Sequence, residues 1–372
     1  MRVLHFYKTS HPDTLGGTEQ VINQIARGSV KHGVSTDVLS LSSTKVVRTI
    51  ELNGYLAHRA KMNFQIASTS VSFSAFFRFY QLAKNADVIH YHFPWPFMDL
   101  VHFVTRMNKP TVVTYHSDII RQKNLLKVYR PLMNKFLSSV DRIVATSPNY
   151  LATSPVLKKL KSKVTVIPIG LDKSTYSEPS SSRLEYWKHR AGSKFFLFVG
   201  VIRYYKGLHI LIEAMQEIDY PVVIVGAGPI EQELKAQADF LGLKNIFFVG
   251  LLPEEDKVAL LTLCYAVVFP SHLRSEAFGI SLLEGAMYGK PMISSEIGTG
   301  TTYINIADET GLVVPPSDHV SLRQAMTHLW NNPELAATMG KNAEARYWAH
   351  FTADKMVKSY TDLYSELIKN SV

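Results

Sequence analysis

Two glutamates, Glu276 and Glu284, stand eight residues apart in the segment SEAFGISLLEGAMYGKP, residues 275–291, with no charge between them. The pattern predicts a loop that carries Glu276 at the carboxyl end of a strand. A helix that begins near Phe278 then carries Glu284 on its second turn. The unpaired backbone N–H groups at such a helix start favour phosphate. Two carboxylates beside an anion site indicate a ligand that bears both phosphate and hydroxyl groups.

Two cations lie at the carboxyl end of another predicted strand. The segment GVIRYYKG, residues 200–207, places Arg203 and Lys206 there, where a diphosphate could attract both. The two glutamates also fit the acid and the nucleophile or base of a glycosidase. Alternatively, Glu284 is a solvated acid on the polar face of its helix and Glu276 is a capping or first-turn acid.

Glycines and a histidine follow three further predicted strands. Gly16 and Gly17 precede a helix, and paired glycines let the backbone come close to a ligand. Gly226 lies in VGAGP, the outline of a nucleotide-binding turn without the complete G-x-G-x-x-G fingerprint. We expect His116 to hydrogen-bond a hydroxyl or phosphate of a ligand, and a capping or core histidine fits the same pattern.

Other residues that could do chemistry give weaker signals. His90 and His92 share one face of a strand, as a metal pair could, but no third ligand or carboxylate cluster accompanies them in the sequence. We therefore predict no metal site. Cys264 lies in an apolar run, which favours a buried thiol. With one cysteine, no signal-peptide pattern and no apolar run of about 20 residues, a cytoplasmic protein is expected.

Apolar runs typical of buried strands alternate with helix-period segments in both halves of the chain. Such strands suit parallel sheets covered on both faces. We therefore predict two Rossmann-like, doubly wound α/β domains that face each other across a cleft lined by the carboxyl ends of both sheets. The predicted strands are 2–7, 36–41, 87–93, 110–116, 141–147, 163–170, 195–200, 221–228, 245–250, 265–271 and 290–295.

The domain limits follow from composition and length. Residues 1–170 form the predicted N-terminal domain and residues 194–350 the C-terminal domain, joined by a polar linker at 171–193. The last helix, 353–370, is expected to pack back on the N-terminal domain. The length of 372 residues and the 46% hydrophobic content suit two globular domains and exclude a disordered or fibrous chain.

Positive charge is concentrated in the first half. Residues 1–168 carry 22 Lys and Arg against 8 Asp and Glu, whereas residues 169–372 carry 18 against 23. The basic half should meet an anionic partner. Segments 73–84 and 121–136 mix cations with large apolar residues, which is typical of contact with an anionic membrane surface. Amphipathic core helices with basic outer faces have the same composition, and no nucleic-acid motif occurs.

The motifs occur in the order found in a known enzyme family. They resemble those of the retaining GT-B glycosyltransferases of family 4 over nearly the whole chain, and SSEIGTGTTYIN resembles the same segment of bacterial O-antigen mannosyltransferases. Residues 298–305, GTGTTYIN, depart from the usual GG-x-x-E because they lack its glutamate. The matching motifs are GG at 16–17, TYHSD at 114–118, RYYKG at 203–207, VGAGP at 225–229, SEAFGISLLEGAMYGKP at 275–291 and GLVVPPSD at 311–318.

The resemblance implies a role for each candidate residue. Glu284 would hold the ribose hydroxyls of a nucleotide, and Glu276 would contact hydroxyls of the donor sugar. Arg203 and Lys206 would bind the diphosphate, helped by the helix-start amides. Gly16 and Gly17 would approach the diphosphate from the other domain, and His116 would lie beside the transferred sugar. The implied catalytic residues are Arg203, Lys206, Glu276 and His116, and the implied donor-binding residues are Gly16, Gly17, Gly226, Phe278, Gly279, Ile280 and Glu284.

The resemblance also implies an activity. The chain would move mannose from GDP-mannose, with retention and an alpha linkage, onto an undecaprenyl-diphosphate-linked oligosaccharide in O-antigen or lipopolysaccharide biosynthesis. No metal or other cofactor would be needed, and the enzyme would lie on the inner face of the cytoplasmic membrane. The alternatives are a UDP-hexose-dependent transferase of another envelope glycan, a sugar-nucleotide epimerase and a nucleotide-binding regulatory module.

Overall fold

The computed structural model describes residues 1–14, 16–43, 49–66, 69–120 and 123–371. The chain forms two compact units. Unit 1 comprises Met1–Gly170 and Ala353–Val372, and unit 2 comprises Leu171–Thr352. Among the described helices, none combines the length and the apolar character that crossing a membrane requires.

The first part of unit 1 alternates strands and helices. Its strands are β1 (Arg2–Phe6), β2 (Ser35–Ser42), β3 (Thr49–Leu52), β4 (Tyr55–Lys61), β5 (Phe64–Ile66), β6 (Thr69–Val71), β7 (Val88–Phe93), β8 (Thr111–Tyr115), β9 (Arg142–Ala145) and β10 (Val164–Val166). Its helices are α1 (Gly17–Ser29), α2 (Phe73–Asn85), α3 (Pro96–Thr105), α4 (Lys123–Ser139), α5 (Pro148–Thr153) and α6 (Pro155–Lys159).

Eight of these strands form one sheet in the order β10-β9-β8-β7-β1-β2-β4-β3. Neighbouring strands are parallel except β3 and β4, which form an antiparallel hairpin. The chain moves outward from β1 to β2 and β4, then crosses to β7 on the other side of β1. The switch point of the sheet therefore lies between β1 and β7, where loops that leave in opposite directions open a ligand crevice.

Unit 2 repeats this design with a continuous piece of chain. Its helices are α7 (Ser181–Ala191), α8 (Leu208–Ala214), α9 (Glu231–Phe240), α10 (Glu254–Leu263), α11 (Ile280–Met287), α12 (Thr301–Ile304), α13 (His319–Asn331) and α14 (Pro333–His350). Its strands are β11 (Phe196–Val199), β12 (Val222–Val225), β13 (Ile246–Gly250), β14 (Ala266–Phe269), β15 (Met292–Ser295) and β16 (Gly311–Val314).

The sheet of unit 2 has the order β13-β12-β11-β14-β15-β16 and is parallel throughout. Every residue of β11, β12, β14 and β15 is buried, because helices cover both faces of a parallel sheet. The switch point lies between β11 and β14. Residues that follow these two strands meet at one edge of the sheet.

The last helix, α15 (Ala353–Lys369), belongs to unit 1 and packs against α1. It buries a row of large side chains that includes Met356, Tyr360 and Tyr364. The two helices come close because Gly28 of α1 has no side chain. A Cβ at Gly28 would lie 2.6 Å from Cγ2 of Val357.

The structure confirms all eleven predicted strands and differs from the sequence predictions elsewhere. The segment 171–193, predicted as a linker, contributes α7 to unit 2. There Trp187 is 2% exposed and donates a hydrogen bond of 2.7 Å to Asp256. Strands β3 to β6 and β16 were not predicted. The Asn53-Gly54 dipeptide at the β3–β4 turn, with positive φ at both residues, was the signal that could have identified that hairpin.

Histidines occupy core positions in unit 1. His5 on β1 and His90 and His92 on β7 are fully buried, and their rings stack with one another and with His116, which follows β8. Burial lowers the pKa of His5 and of His116 to about 3. The pKa values of His90 and His92 are lowered well below the ordinary value, chiefly by burial. All four rings are therefore neutral at pH 7.

We expect unit 1 to lose stability steeply as the pH falls from about 6.5 towards 3. The unfolded chain protonates these four histidines near their ordinary pKa, whereas the folded protein keeps them neutral. The unfolded state therefore binds more protons, and the free energy of unfolding rises with pH in this window. Each histidine contributes up to about 1.4 kcal/mol per pH unit.

Hydrogen exchange of unit 1 amides under conditions of global opening, measured between pH 7 and 5, checks this slope after correction for the intrinsic exchange rate. His5→Phe should lower the slope by about one proton per unfolding event. A free energy of unfolding that stays constant over this range would contradict the expected acid sensitivity.

The close contact of α1 and α15 predicts a compensating pair of substitutions. Val357→Ala should destabilise unit 1 by about 2 kcal/mol, because it removes two buried methyl groups. Gly28→Ala alone should be destabilising or neutral, because its methyl group meets Val357. The double variant should recover about 1 kcal/mol relative to Val357→Ala, since the new methyl group fills part of the space and alanine favours the helix. Additive effects in urea denaturation would rule out this contact.

Candidate active site

An ion pair joins the two loops at the switch point of unit 2. Lys206 follows β11 and Glu276 follows β14, and Nζ of Lys206 donates a hydrogen bond of 2.5 Å to Oε2 of Glu276. Both side chains are only 11% exposed. The ammonium group also lies 4.6 Å from the ring centroid of Phe269, the last residue of β14. The structure thus brings together two residues that the sequence placed seventy positions apart.

Gly207 allows these loops to approach. Residues Tyr204–Lys206 form a short 3₁₀ turn, and Gly207 ends it with a left-handed backbone at φ +72°. A Cβ there would lie 2.0 Å from the carbonyl oxygen of Pro270 in the opposite loop. Only glycine satisfies both the conformation and the contact.

Arg203 lies at the same edge as Lys206 but is exposed. Its guanidinium group has no hydrogen bond or ion pair with any residue in the described part of the chain. It is therefore a cation at the carboxyl end of β11 that can bind an anion without breaking an existing contact. This placement agrees with the diphosphate-binding role implied by the resemblance, which stays a prediction.

Glu284 is buried inside unit 2, with 4% exposure, so the interpretation as a solvated helix acid is wrong. Its Oε1 accepts hydrogen bonds from the Tyr176 hydroxyl at 3.0 Å and from Nζ of Lys257 at 2.8 Å. Its Oε2 has no hydrogen-bond partner among the described residues. Two neighbours thus orient the carboxylate and leave one oxygen able to accept hydrogen bonds from a ligand.

Sequence reasoning missed Tyr176 and Lys257. They lie 108 and 27 residues from Glu284 along the chain, and neither belongs to a recognised motif. Tyr176 falls in the segment predicted as a linker, and Lys257 lies on α10. The ammonium group of Lys257 also lies 4.8 Å from the ring centroid of Tyr176, so the two residues support each other beside the carboxylate.

The helix start between the two glutamates has the predicted character. Helix α11 begins at Ile280, two residues later than predicted, and Gly279 precedes it at φ +99°. The Ser281 hydroxyl donates to the carbonyl oxygen of Val199 at 2.7 Å and ties the helix start to the end of β11. Phe278 is 4% exposed and packs beneath the turn. The first amides of α11 have no intrahelical acceptor and can bind an anion.

Gly226 has a packing reason to be glycine. It follows β12 at φ +133°, and a Cβ there would lie 2.0 Å from the carbonyl oxygen of Gly200. The ends of β11 and β12 could not pack this closely with a side chain at Gly226. The donor-binding role of Gly226 stays a prediction beside this structural one.

Gly16 and Gly17 begin helix α1 at the switch point of unit 1. Gly16 is the N-cap residue, and Gly17 is the first helical residue. The Glu19 carboxylate lies against Gly16, 2.5 Å from where a Cβ would be, and accepts a hydrogen bond from the Thr9 hydroxyl at 2.6 Å. An anion at this helix start would meet a second negative charge, so hydroxyl groups suit these glycines better than a diphosphate.

His116 lies at the carboxyl edge of the unit 1 sheet, one residue after β8. Its backbone N–H donates to the carbonyl oxygen of Phe93 at 3.0 Å. Its Nε2 lies 3.0 Å from Nδ1 of His92 in a hydrogen bond. The ring is partly buried. It is anchored through Nε2, and Nδ1 has no hydrogen-bond partner among the described residues.

His5 joins the histidine pair that the sequence suggested. The ring nitrogens of His5, His90 and His92 include three that lie within 4.8 Å of one another, as in a metal site. Five of the six nitrogens already make hydrogen bonds: His5 with His92, His92 also with His116, and His90 with Tyr364 and Thr114. Only Nε2 of His5 is unpaired. A metal ion would have to replace several of these bonds.

Relatives cover the chain from end to end. Residues 15–175 match Glycosyltransferase Family 4, and residues 184–346 match Glycosyl transferases group 1. D-rhamnosyltransferase WbpZ of Pseudomonas aeruginosa is 64% identical over 353 residues, which is 95% of this chain and 93% of the relative. O-antigen chain mannosyltransferase C of Escherichia coli is 50% identical over 370 residues, which is 100% of both chains.

Solved structures share the fold over the same length. Sucrose-phosphate synthase from Thermosynechococcus elongatus has a TM-score of 0.83 at 21% identity and covers 99% of both chains. Anabaena HepE in complex with UDP has a TM-score of 0.77 at 20% identity, covering 98% of this chain and 100% of its own. These likenesses confirm the GT-B fold class. The chain therefore belongs to glycosyltransferase family 4 and is a glycosyltransferase.

Proposed function

We propose that this glycosyltransferase moves mannose from GDP-mannose onto a lipid-linked oligosaccharide, retaining the anomeric configuration, in O-antigen or lipopolysaccharide biosynthesis. The observation that carries the proposal is the Lys206–Glu276 ion pair at the switch point of unit 2, beside the anchored Glu284. The 50% sequence identity with an O-antigen chain mannosyltransferase, over the full length of both chains, supports the choice of sugar and acceptor.

The cations at this edge suit the leaving group. Cleavage of the sugar–phosphate bond builds negative charge on the departing diphosphate, and fixed positive charge lowers the barrier by stabilising it. Lys206 is held in place by Glu276, exposed Arg203 can close on the phosphate oxygens, and the amides at the start of α11 add further donors. No metal ion is required in this scheme.

The anchored carboxylate suits the ribose. Lys257 and Tyr176 both bind Oε1 of Glu284, which leaves Oε2 to accept from the two neighbouring hydroxyls of a ribose. Glu276 has its Oε2 on Lys206, so its other oxygen can accept from a hydroxyl of the donor sugar. A glycosidase needs one protonated carboxyl group as its acid. Here each carboxylate is paired with an ammonium group instead.

The proposed chemistry is a single displacement on one face of the sugar. The acceptor oxygen forms a bond to the anomeric carbon as the bond from that carbon to the phosphate oxygen breaks. The acceptor hydroxyl proton passes to the departing phosphate oxygen, so no separate base is needed. We propose that His116 contacts the transferred sugar and orients it during this step.

A second donor is favoured by a specific observation. The relative that is 64% identical is a D-rhamnosyltransferase, and D-rhamnose is mannose without its 6-hydroxyl group. The same ribose and diphosphate contacts would serve both donors. The site would distinguish the two donors only through hydrogen bonds to the 6-hydroxyl group. A site built to hydrogen-bond that hydroxyl group rejects the analogue that lacks it by a large factor.

A thermal-shift and transfer assay tests the donor. GDP and GDP-mannose should raise the melting temperature of the full chain, since ligand at 100 times its Kd stabilises by about 2.7 kcal/mol. The panel should also contain GDP-D-rhamnose, UDP and UDP-glucose.

Lys206→Ala should lower kcat about 100- to 1000-fold, because it removes a cation from the leaving group.

Lys235→Ala is the matched control for Lys206→Ala. Lys235 is also paired with a glutamate, Glu231, but the pair lies on the surface of α9. The kcat of the Lys235→Ala enzyme should stay within about twofold of the wild type.

Stabilisation by UDP-sugars without any response to GDP would overturn the proposal that GDP-mannose is the donor. A Lys206→Ala enzyme with near wild-type kcat would overturn the role of Lys206.

The surface of unit 1 supports a lipid-borne acceptor. Helix α2 buries Phe79 but leaves Phe73 and Phe77 about two-thirds exposed, at 66% and 65%, and Ile66 of strand β5 is 63% exposed. The rings of Phe64 and Phe73 lie 6.2 Å apart, which joins the exposed apolar residues of β5 to those of α2. We call Phe64, Ile66, Phe73, Phe77 and Tyr80 the aromatic patch.

Helix α4 adds positive charge on the same unit. Lys127, Arg130 and Lys135 are exposed, and Val128 between them is 82% exposed. Arg121 and Gln122 of the predicted basic segment lie outside the described residues. Helix α4 packs on α3, which packs on α2, so one helix separates the cations of α4 from the aromatic patch. We propose that this surface holds the enzyme on the inner face of the cytoplasmic membrane.

A cavity of about 610 Å³ lies beside α4. Arg130 and Lys159 contribute cations to its wall, and Leu126 and Met133 contribute apolar surface. A lipid diphosphate carries both kinds of chemistry, so we propose this cavity as the place for the undecaprenyl diphosphate of the acceptor. Asp118 also lines the cavity, and it is already bonded by the Tyr115 and Ser154 hydroxyls.

Vesicle flotation tests the membrane surface. The protein should bind phosphatidylglycerol vesicles at low salt and be released as salt screens the charges. Phe73→Ser with Phe77→Ser should weaken binding about tenfold, because two inserted rings are lost. Phe240→Ser in unit 2 is the control, since Phe240 is 89% exposed outside the aromatic patch. Failure to bind vesicles at low salt would overturn the membrane proposal.

A further inference from the structure

Two hydrogen bonds link three histidines of unit 1, His5, His92 and His116, into a chain. We propose that His5 and His92 are positioning residues that fix the tautomer of His116, so that its Nδ1 carries the proton and points a donor at the substrate. The inference rests on the proposed contact of His116 with the transferred sugar. It adds a reason for histidines at positions that a parallel sheet normally fills with apolar residues.

The chain runs across three neighbouring strands. Nδ1 of His5, on β1, lies 3.0 Å from Nε2 of His92, on β7. Nδ1 of His92 lies 3.0 Å from Nε2 of His116, which follows β8. The ring centroids are 5.3 Å apart for the first pair and 5.2 Å apart for the second, with the rings nearly parallel in both. His92 thus bonds through both of its nitrogens and links His5 to His116.

Each hydrogen bond needs one N–H group and one lone pair. A neutral imidazole has one of each, and burial keeps His5, His92 and His116 neutral, as their lowered pKa values indicate. Once one ring has its proton on Nδ1, the next ring must accept at Nε2 and carry its own proton on Nδ1. The chain therefore has two arrangements in which every bond is made, one the reverse of the other.

Two features favour the arrangement that runs from His5 to His116. Nε2 of His5 is buried without a hydrogen-bond partner among the described residues. If the chain ran from His116 to His5, this nitrogen would carry a buried N–H group without an acceptor. If the chain runs from His5 to His116, it carries only an unpaired lone pair. Buried N–H groups without a partner are rarer in proteins than buried acceptors without one. At the other end, an N–H group of His116 suits hydroxyl and phosphate oxygens, whereas a lone pair would repel a phosphate.

His90 lies in the same stack but outside the chain. Its ring centroid is 4.4 Å from that of His92, yet its nitrogens bond the Tyr364 hydroxyl at 2.6 Å and the Thr114 hydroxyl at 2.7 Å. It is as deeply buried as His92. His90 is therefore a matched control, because replacing it disturbs packing at the same depth and leaves both bonds of the chain intact.

Nitrogen-15 NMR of the histidine rings tests the direction without a variant and without a donor sugar. In the wild-type protein at pH 7, Nδ1 of His5, His92 and His116 should show the protonated, pyrrole-like signal, and Nε2 the pyridine-like signal. A proton on Nε2 of His116 would overturn the proposal. Stoichiometric bound metal in the purified protein would also overturn it, because a metal would take the lone pairs that the chain uses.

Kinetics test the consequence for catalysis. His92→Phe should lower kcat about tenfold with less than about a twofold change in KM for the nucleotide sugar, because His116 loses the partner that fixes its proton. His90→Phe should change kcat less than about twofold. Adding His92→Phe to His116→Ala should cost nothing further, since His92 acts through His116.

Three outcomes would overturn the positioning role. They are equal losses for His92→Phe and His90→Phe, additive losses in the double variant, and an unchanged His116 ring spectrum in His92→Phe. A donor other than GDP-mannose or GDP-D-rhamnose would overturn the proposed function and leave the ring spectra as a separate test. Should His92→Phe fail to fold, the wild-type spectra still decide the direction of the chain.

Discussion

The site of unit 2 depends on the ion pair between Lys206 and Glu276. Strands β11 and β14 are neighbours whose connections leave in opposite directions, so the sheet alone does not hold the two loops together. The salt bridge holds the two loops together, and each of its side chains is only 11% exposed. Burying two charges costs desolvation free energy, which the short, direct contact must offset. In the proposed reaction, the same contact fixes a cation where negative charge would develop on the leaving group, so that one bond would supply both stability and preorganisation.

The same principle explains Glu284. A buried carboxylate is costly unless its charge and lone pairs are satisfied, and Lys257 and Tyr176 satisfy only one of its two oxygens. The other oxygen can accept strong hydrogen bonds from a ligand, and its position is more restricted than that of a carboxylate on the surface. On the histidine face of the unit 1 sheet, buried rings satisfy part of one another's hydrogen-bonding capacity.

The strands and the loops that follow them were predictable because both depend on local sequence. Continuous apolar runs identified β11 and β14, and the carboxyl-end rule then placed Arg203, Lys206 and Glu276 at one edge. Tyr176, Lys257 and His5 were not predictable, since each reaches its partner only through the fold. The helix α7 was missed because its buried residues, Trp187 and Ala191, stand in a polar segment. Strand β16 was missed because its four residues were interpreted only as part of a motif.

The return of α15 to unit 1 sets an order for folding during synthesis. Unit 2 is one continuous stretch of chain, Leu171–Thr352, whereas unit 1 needs residues from both ends. Tyr360 and Tyr364 of α15 cover the histidine face and bond Thr114 and His90. Until α15 leaves the ribosome, that face has no cover. Unit 2 can therefore complete its core first, the reverse of the usual N-terminal-first order, and unit 1 is completed only after α15 has been synthesised.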